Sequence, residues 1–351
     1  MYTEYKFIFS IGSVTRSSRH DSFEYINSLD LNAWSNAVDL FKIRKYFHAN
    51  MHVTVSVDLE PVLQHFKESA KTDVEFENII KKNGDIDTWS KNHVFKDIPD
   101  LCCSISINTD NEPIDNEFSI ISGFAERYIY DLFAIMNFSV PGSCDFNNIE
   151  IHTNKKDHSS RLNLSGYYFE LGLMSTLDGK KPSLSTLSVA DVLKWYNALN
   201  IGLKQKAELP IERALFSLFH ICLLDSDVTS IIWIFHALEA IYSSKVGEGF
   251  TNLHRRISYL LKLDKKDQTI LKKNLRKLYD FRSAIVHGGY QVYHPSSNEM
   301  IDSEYDDDIN TFYRLNEYGF KLIVSSIQEL IKNNWYGLLI DESIKGKETT
   351  N

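Results

Sequence analysis

Tyr279-Asp-Phe-Arg-Ser-Ala-Ile-Val-His-Gly-Gly289 reads as the last turns of a helix followed by its stop. Leu271, Leu275, Leu278, Arg282 and Ile285 recur at three- and four-residue steps, the repeat of one helix face. Asp264 to Asp267 suit its start, and Gly288-Gly289 its left-handed end. Arg282 therefore falls on an apolar stripe. A guanidinium placed there needs a carboxylate, a phosphate or an interface open to water, because burying it unpaired is costly. His287 follows five residues later, about 140° around an ideal helix. The two side chains converge only if the helix end unwinds, or if a second copy brings its own pair across an interface.

Outward from this run, the chain from about Leu187 is patterned as helices. Pro210 suits the first turn of a helix over Ile211–Leu224. Asp225-Ser-Asp227 can cap the next, Val228–Ser244, which is apolar nearly all round and so belongs at the centre of a bundle. Gly247-Glu-Gly249 breaks it, and a helix over Asn252–Leu261 follows. The acidic stretch Glu299–Asp308 reads as a solvated loop, ahead of a last helix over Ile309–Asn333.

The first half differs. Met51–Leu59 alternates apolar and polar residues, and shorter alternations occur in Tyr5–Ile11, Cys103–Ile107 and around Leu162–Leu164. Ala33–Tyr46 and the repeat from Phe118 to Met136 are expected to be helices, with an exit at Pro141-Gly142 and a turn at Asp178–Pro182. The fold class expected is α+β: a mixed α/β domain over residues 1–186, then an all-α bundle over 187–345.

The 351 residues have room for two such units. Hydrophobic residues at 43% and charged residues at 24% are globular proportions, and no apolar run is long enough to span a bilayer. No secretory leader is recognisable, so a cytoplasmic protein without membrane association is expected. Cys102, Cys103, Cys144 and Cys222 lack the spacing of zinc sites and read as free cysteines packed as small hydrophobes. His236 and His254 have no companions at ligand spacing, so neither a metal nor a cofactor is expected. The net charge of -9 argues against nonspecific coating of nucleic acid. Within Lys245–Arg282, however, eleven Lys and Arg residues face four acids. Among them Arg255, Arg256, Lys272, Lys273, Arg276 and Lys277 make a candidate phosphate-binding surface.

The Tyr279–Gly289 run resembles the signature of HEPN domains, an Arg followed after four to six residues by a His. With Ala237-Leu-Glu-Ala-Ile-Tyr242, Gly247-Glu-Gly249 and the Arg255-Arg256 helix, the region from about Leu187 to Trp335 resembles the Apea-like HEPN group. The resemblance implies a helical bundle that dimerises, metal-independent endoribonuclease activity, and roles in phage defence, toxin systems and RNA processing. Arg282 and His287 match the two motif positions. Active members often carry Asn, Asp or His after the Arg, where this chain has Ser283. Some carry a Tyr two residues after the His, where it has Gly289.

These residue types suit RNA cleavage: His moves a proton near neutral pH, and Arg stays cationic and binds phosphate through paired hydrogen bonds. Glu239, inside the apolar central helix, needs a partner; it would orient Arg282 or His287, or pair elsewhere in the bundle. Asp280 points to another side of the helix. The partners expected are RNA, tRNA included, a second copy of the chain, and a phage or host trigger sensed by a regulatory N-terminal half. The alternative is a noncatalytic bundle that dimerises or binds a nucleotide or partner. The N-terminal half carries no glycine-rich phosphate loop, paired metal-binding histidines or nucleophile elbow.

Overall fold

Alternation along β3 (Met51–Val57) buries Val53, Val55 and Val57 and leaves the residues between them partly covered. The computed structural model describes residues 2–13, 23–48, 51–82, 98–109, 118–153, 159–223, 229–243, 250–292, 294 and 303–341. Strand register carries the apolar face of β3 across a whole sheet. Val53, Val55 and Val57 stand beside Ile107, Ile105 and Cys103 of β4 (Leu101–Thr109), and Cys103 and Leu101 beside Phe7 and Phe9 of β1 (Tyr2–Ser13). Phe9 and Ile11 then meet Ile151 and Ile149 of β5 (Phe146–Thr153). With β2 (Ile43–His48) and β6 (Ser159–Leu164), these strands form one antiparallel sheet in the order β2-β3-β4-β1-β5-β6.

Helices α1 (Phe23–Phe41), α2 (Glu60–Lys81) and α3 (Phe118–Ser139) complete this half. From Asp131 to Val140 every residue is buried, because α3 packs on the sheet and is covered by later helices on its other side. The helix expected over Ala33–Tyr46 begins earlier and ends at Phe41, and Ile43–His48 is a strand. Its period-two pattern is hidden because its inward residues are Arg44 and Tyr46 while Ile43 and Phe47 face solvent. Arg44 and Tyr46 both donate to the buried Asp131 carboxylate, at 2.7 and 2.9 Å.

The remaining helices are α4 (Tyr167–Leu177), α5 (Val189–Ala198), α6 (Pro210–Cys222), α7 (Ser230–Ile241), α8 (Phe250–Leu260), α9 (Lys265–Val286) and α10 (Ser303–Lys332). Pro210 occupies the first turn of α6, and Asp264 caps α9 by accepting from the Asp267 N–H at 2.8 Å. The Asp225–Asp227 cap, the Gly247–Gly249 break and residues 299–302 lie outside the described residues. Ser303–Asp308, expected as loop, is the start of α10.

Among the described residues, buried side chains on both sides of residue 187, from Phe7 to Ile331, belong to one hydrophobic cluster. Phe320 of α10 packs edge-on against Phe169 of α4 at 4.8 Å, and Phe169 meets Phe138 of α3 at 5.9 Å. Gln328 of α10 accepts from the Ser185 N–H and donates to the carbonyls of Ser185 and Phe138, at 2.8, 2.7 and 3.0 Å. Three of the four cysteines are buried and all four are free.

Two close contacts of α10 generate predictions. A Cβ on Gly319 would lie 2.7 Å from Ile234 Cγ2 of α7, so only glycine lets the two helices approach this closely. Gly319→Val should cost about 1–3 kcal/mol by overpacking, read as a fall in the urea midpoint; an unchanged midpoint refutes the contact. The Lys321 ammonium donates to Ser175 Oγ and the Lys180 carbonyl, both at 2.9 Å. Burial nevertheless pushes its pKa down to about 8 from 10.5. In the window between these values the unfolded chain binds more protons than the folded one, so this group's contribution to stability rises with pH there, and its penalty is complete below pH 8. Urea midpoints at about pH 7 and about pH 9.5 should rise more for the wild type than for Lys321→Met; equal slopes would show that Lys321 is not the group responsible.

Candidate functional site

The site is built where α9 leaves the bundle. Leu271, Leu275 and Leu278 are wholly buried, and the same stripe continues into Arg282, which is only half-buried. Phe235 of α7 meets it from below: its ring packs against Tyr279 at 6.1 Å and carries the Arg282 guanidinium 5.5 Å from its centroid. A cation over an aromatic face is attracted by the ring quadrupole, but the ring supplies no acceptor in the guanidinium plane. Arg282 Nε is sealed from solvent and has no hydrogen-bond partner among the described residues.

The helix end is held firmly. Gly288 adopts φ of +73°, a conformation that side chains with a Cβ disfavour. The Gly289 N–H donates to the Ala284 carbonyl at 2.8 Å and the Gly288 N–H to that of Ile285 at 3.4 Å, the paired bonds of a Schellman stop. Phe281 and Tyr290, 5.2 Å apart, pack the departing chain back onto the helix. His287 is the last residue before the stop; its N–H bonds the Ser283 carbonyl at 3.0 Å and its side chain is exposed. Among the described residues no hydrogen bond joins Arg282 to His287, as the five-residue spacing anticipates.

Ser283 is half-buried, whereas Asp280 pairs with Arg276 at 3.3 Å on the open surface. Glu239 lines a cleft of about 330 Å³ with Arg213, His236 and Ser243, between α6 and α7. Among the described residues no hydrogen bond or ion pair links it to Arg282 or His287. His236 Nδ1 meets Ser217 Oγ at 2.7 Å and His254 Nε2 meets the Gln268 carbonyl at 3.0 Å, both contacts within the bundle.

Lys272, Lys273, Arg276 and Lys277 are exposed on α9, and Arg255 is exposed on α8. Arg256 departs from this group. It is half-buried and donates to the Tyr242 carbonyl at 3.0 Å, closing the C-terminal end of α7. Phe235, the residue on which Arg282 rests, was hidden from sequence reasoning because a Phe in an apolar helix carries no signal of its partner. Among the described residues no group of three or more His, Cys, Asp or Glu side chains is arranged to hold a metal ion, and no helix is long and apolar enough to cross a membrane.

Comparison with known proteins finds no matching family model, no matching curated protein and no matching solved structure.

The two kinds of cation should separate on substitution. Arg256→Ala should lower stability by about 1–3 kcal/mol, since it strips a charged donor from a buried carbonyl. Lys273→Ala should change it by less than about 0.5 kcal/mol. Urea unfolding of both variants distinguishes them, and equal losses would contradict this division.

Proposed function

We propose that this chain is a metal-independent endoribonuclease of HEPN type, with Arg282 and His287 as its reacting pair. The observation that carries the reading is the Arg282 guanidinium, half-buried over Phe235 with no carboxylate partner among the described residues, on a helix that presents an exposed His287 at its end and four exposed cations earlier along its length. In this mechanism the 2′-hydroxyl attacks its neighbouring phosphorus while the 5′-oxygen of the next nucleotide departs. His287 transfers a proton at one of these oxygens, and Arg282 offsets the extra negative charge on the phosphoryl oxygens. The products are a 2′,3′-cyclic phosphate and a 5′-hydroxyl end. Because the two side chains leave the helix in different directions, the reading includes a homodimer in which each copy's helix end completes the other's site. Lys272, Lys273, Arg276, Lys277 and Arg255 would guide RNA toward it through their charge.

A noncatalytic reading is favoured by one observation, that among the described residues no hydrogen bond joins Arg282 to His287. The same helix end would then serve dimerisation or bind a nucleotide or partner. In either case residues 1–186 recognise a phage or host trigger in antiphage defence or a toxin-like stress response. They act through the shared core rather than as a detachable cover.

Total RNA and tRNA incubated with the purified chain in EDTA decide between the two. Cleavage should persist without divalent metal, leave cyclic phosphate ends, and fall on the order of 100-fold or more in Arg282→Ala and in His287→Ala, with circular dichroism unchanged. Undiminished cleavage in either variant would overturn the assignment, and loss of cleavage in EDTA would overturn the metal-free mechanism.

A further inference from the structure

Asn316, in the middle of α10, has no exposed surface, and among the described residues neither its amide nitrogen nor its carbonyl oxygen has a hydrogen-bond partner. A buried carboxamide with nothing to bond is costly, so such a residue calls for an explanation. The register of the surrounding helices supplies one. Helices α9 and α10 run antiparallel here: Phe281 packs on Phe312 at 5.9 Å, while Leu278 lies 3.4 Å from where a Cβ would stand on Gly319. One turn beyond Leu278 on the buried stripe is Arg282. One turn before Gly319 are Leu315 and Asn316. Ile234, which also faces Gly319, is followed by Phe235, the ring under the guanidinium. The register of three helices thus places an orphaned donor, Arg282 Nε, and an orphaned acceptor, Asn316 Oδ1, at about the same level of the bundle.

We propose that Asn316 is a positioning residue for Arg282: its carbonyl oxygen accepts from one trapped water, which in turn accepts the buried Nε–H. This aims the two terminal nitrogens of the guanidinium outward, where a phosphate is held. The guanidinium is planar, so fixing the Nε–H edge fixes the direction of the whole fork. An uncharged acceptor suits the task better than a carboxylate, because it orients the cation without neutralising it. The phosphate-binding part of the inference rests on the endoribonuclease reading; the water bridge between Asn316 and Arg282 does not.

The test uses the full chain and three variants. Arg282→Lys identifies the Arg282 Nε–H resonance in proton–nitrogen spectra, which should exchange slowly with water in the wild type. Asn316→Leu, of similar size but without an acceptor, should speed that exchange by roughly tenfold or more. It should leave the thermal midpoint close to that of the wild type, because removing the unpaired Asn316 Nδ2 offsets the acceptor lost to Arg282, while kcat for RNA cleavage falls on the order of 100-fold and KM changes less. Asn316→Asp restores an acceptor and should recover slow exchange and part of kcat. A purely structural Asn316 gives the opposite pattern: Asn316→Leu melts earlier and the Nε–H signal is unaltered. That result overturns the proposal, as does a wild-type Nε–H that exchanges at the rate of a free arginine. If the wild type cleaves no RNA, the endoribonuclease reading falls, and the exchange comparison still decides whether Asn316 holds Arg282.

Discussion

Everything else in this structure depends on the burial of α10 along most of its length. A helix covered this thoroughly cannot satisfy its apolar side chains against one neighbour, and α10 uses several. Phe320 packs against α4, Gly319 lets α7 approach to van der Waals contact, Phe312 meets α9, and Gln328 bonds the chain beside α3. Each contact belongs to a different stretch of sequence, so the sheet half and the helical half are brought to one level by a single element. The placement of α9, and with it Arg282, follows from that packing.

Patterns with one clear period were legible in the sequence. The alternation in Met51–Val57, the repeat in Phe118–Ser139, the capping Asp264 and the glycine stop at 288 all act locally, through the geometry of neighbouring residues. What was not legible depends on distant partners. Strand β2 points Arg44 inward because Asp131 of α3 waits for it, and the charge disguises the strand. The start of α10 was concealed in an acidic run. The expected boundary near residue 187 reflected a real change of pattern, from alternating to helical, but a change of secondary structure does not divide a core.

The same division applies to the site. Arg282 and His287 were visible as residue types at a spacing, and the structure adds their surroundings: an aromatic floor, a rigid helix end and a nitrogen with no acceptor. Of the cations grouped beside them, Arg256 turns out to belong to the scaffold. A basic cluster in sequence mixes surface charge with charges that close helix ends, and only their carbonyl partners tell them apart.

The continuity of the core has a bearing on how a protein of this design can diversify. Where a sensing half and an acting half are separately folded, recombination can exchange one for another in a single event. Here Phe138, Phe169 and Phe320 interlock, so a foreign N-terminal half would arrive with side chains that do not mesh. Change in this half would have to come by successive replacements on exposed positions, each tolerated by the packing beneath. Such a lineage would show a conservative interior and a fast-changing exterior within one indivisible unit.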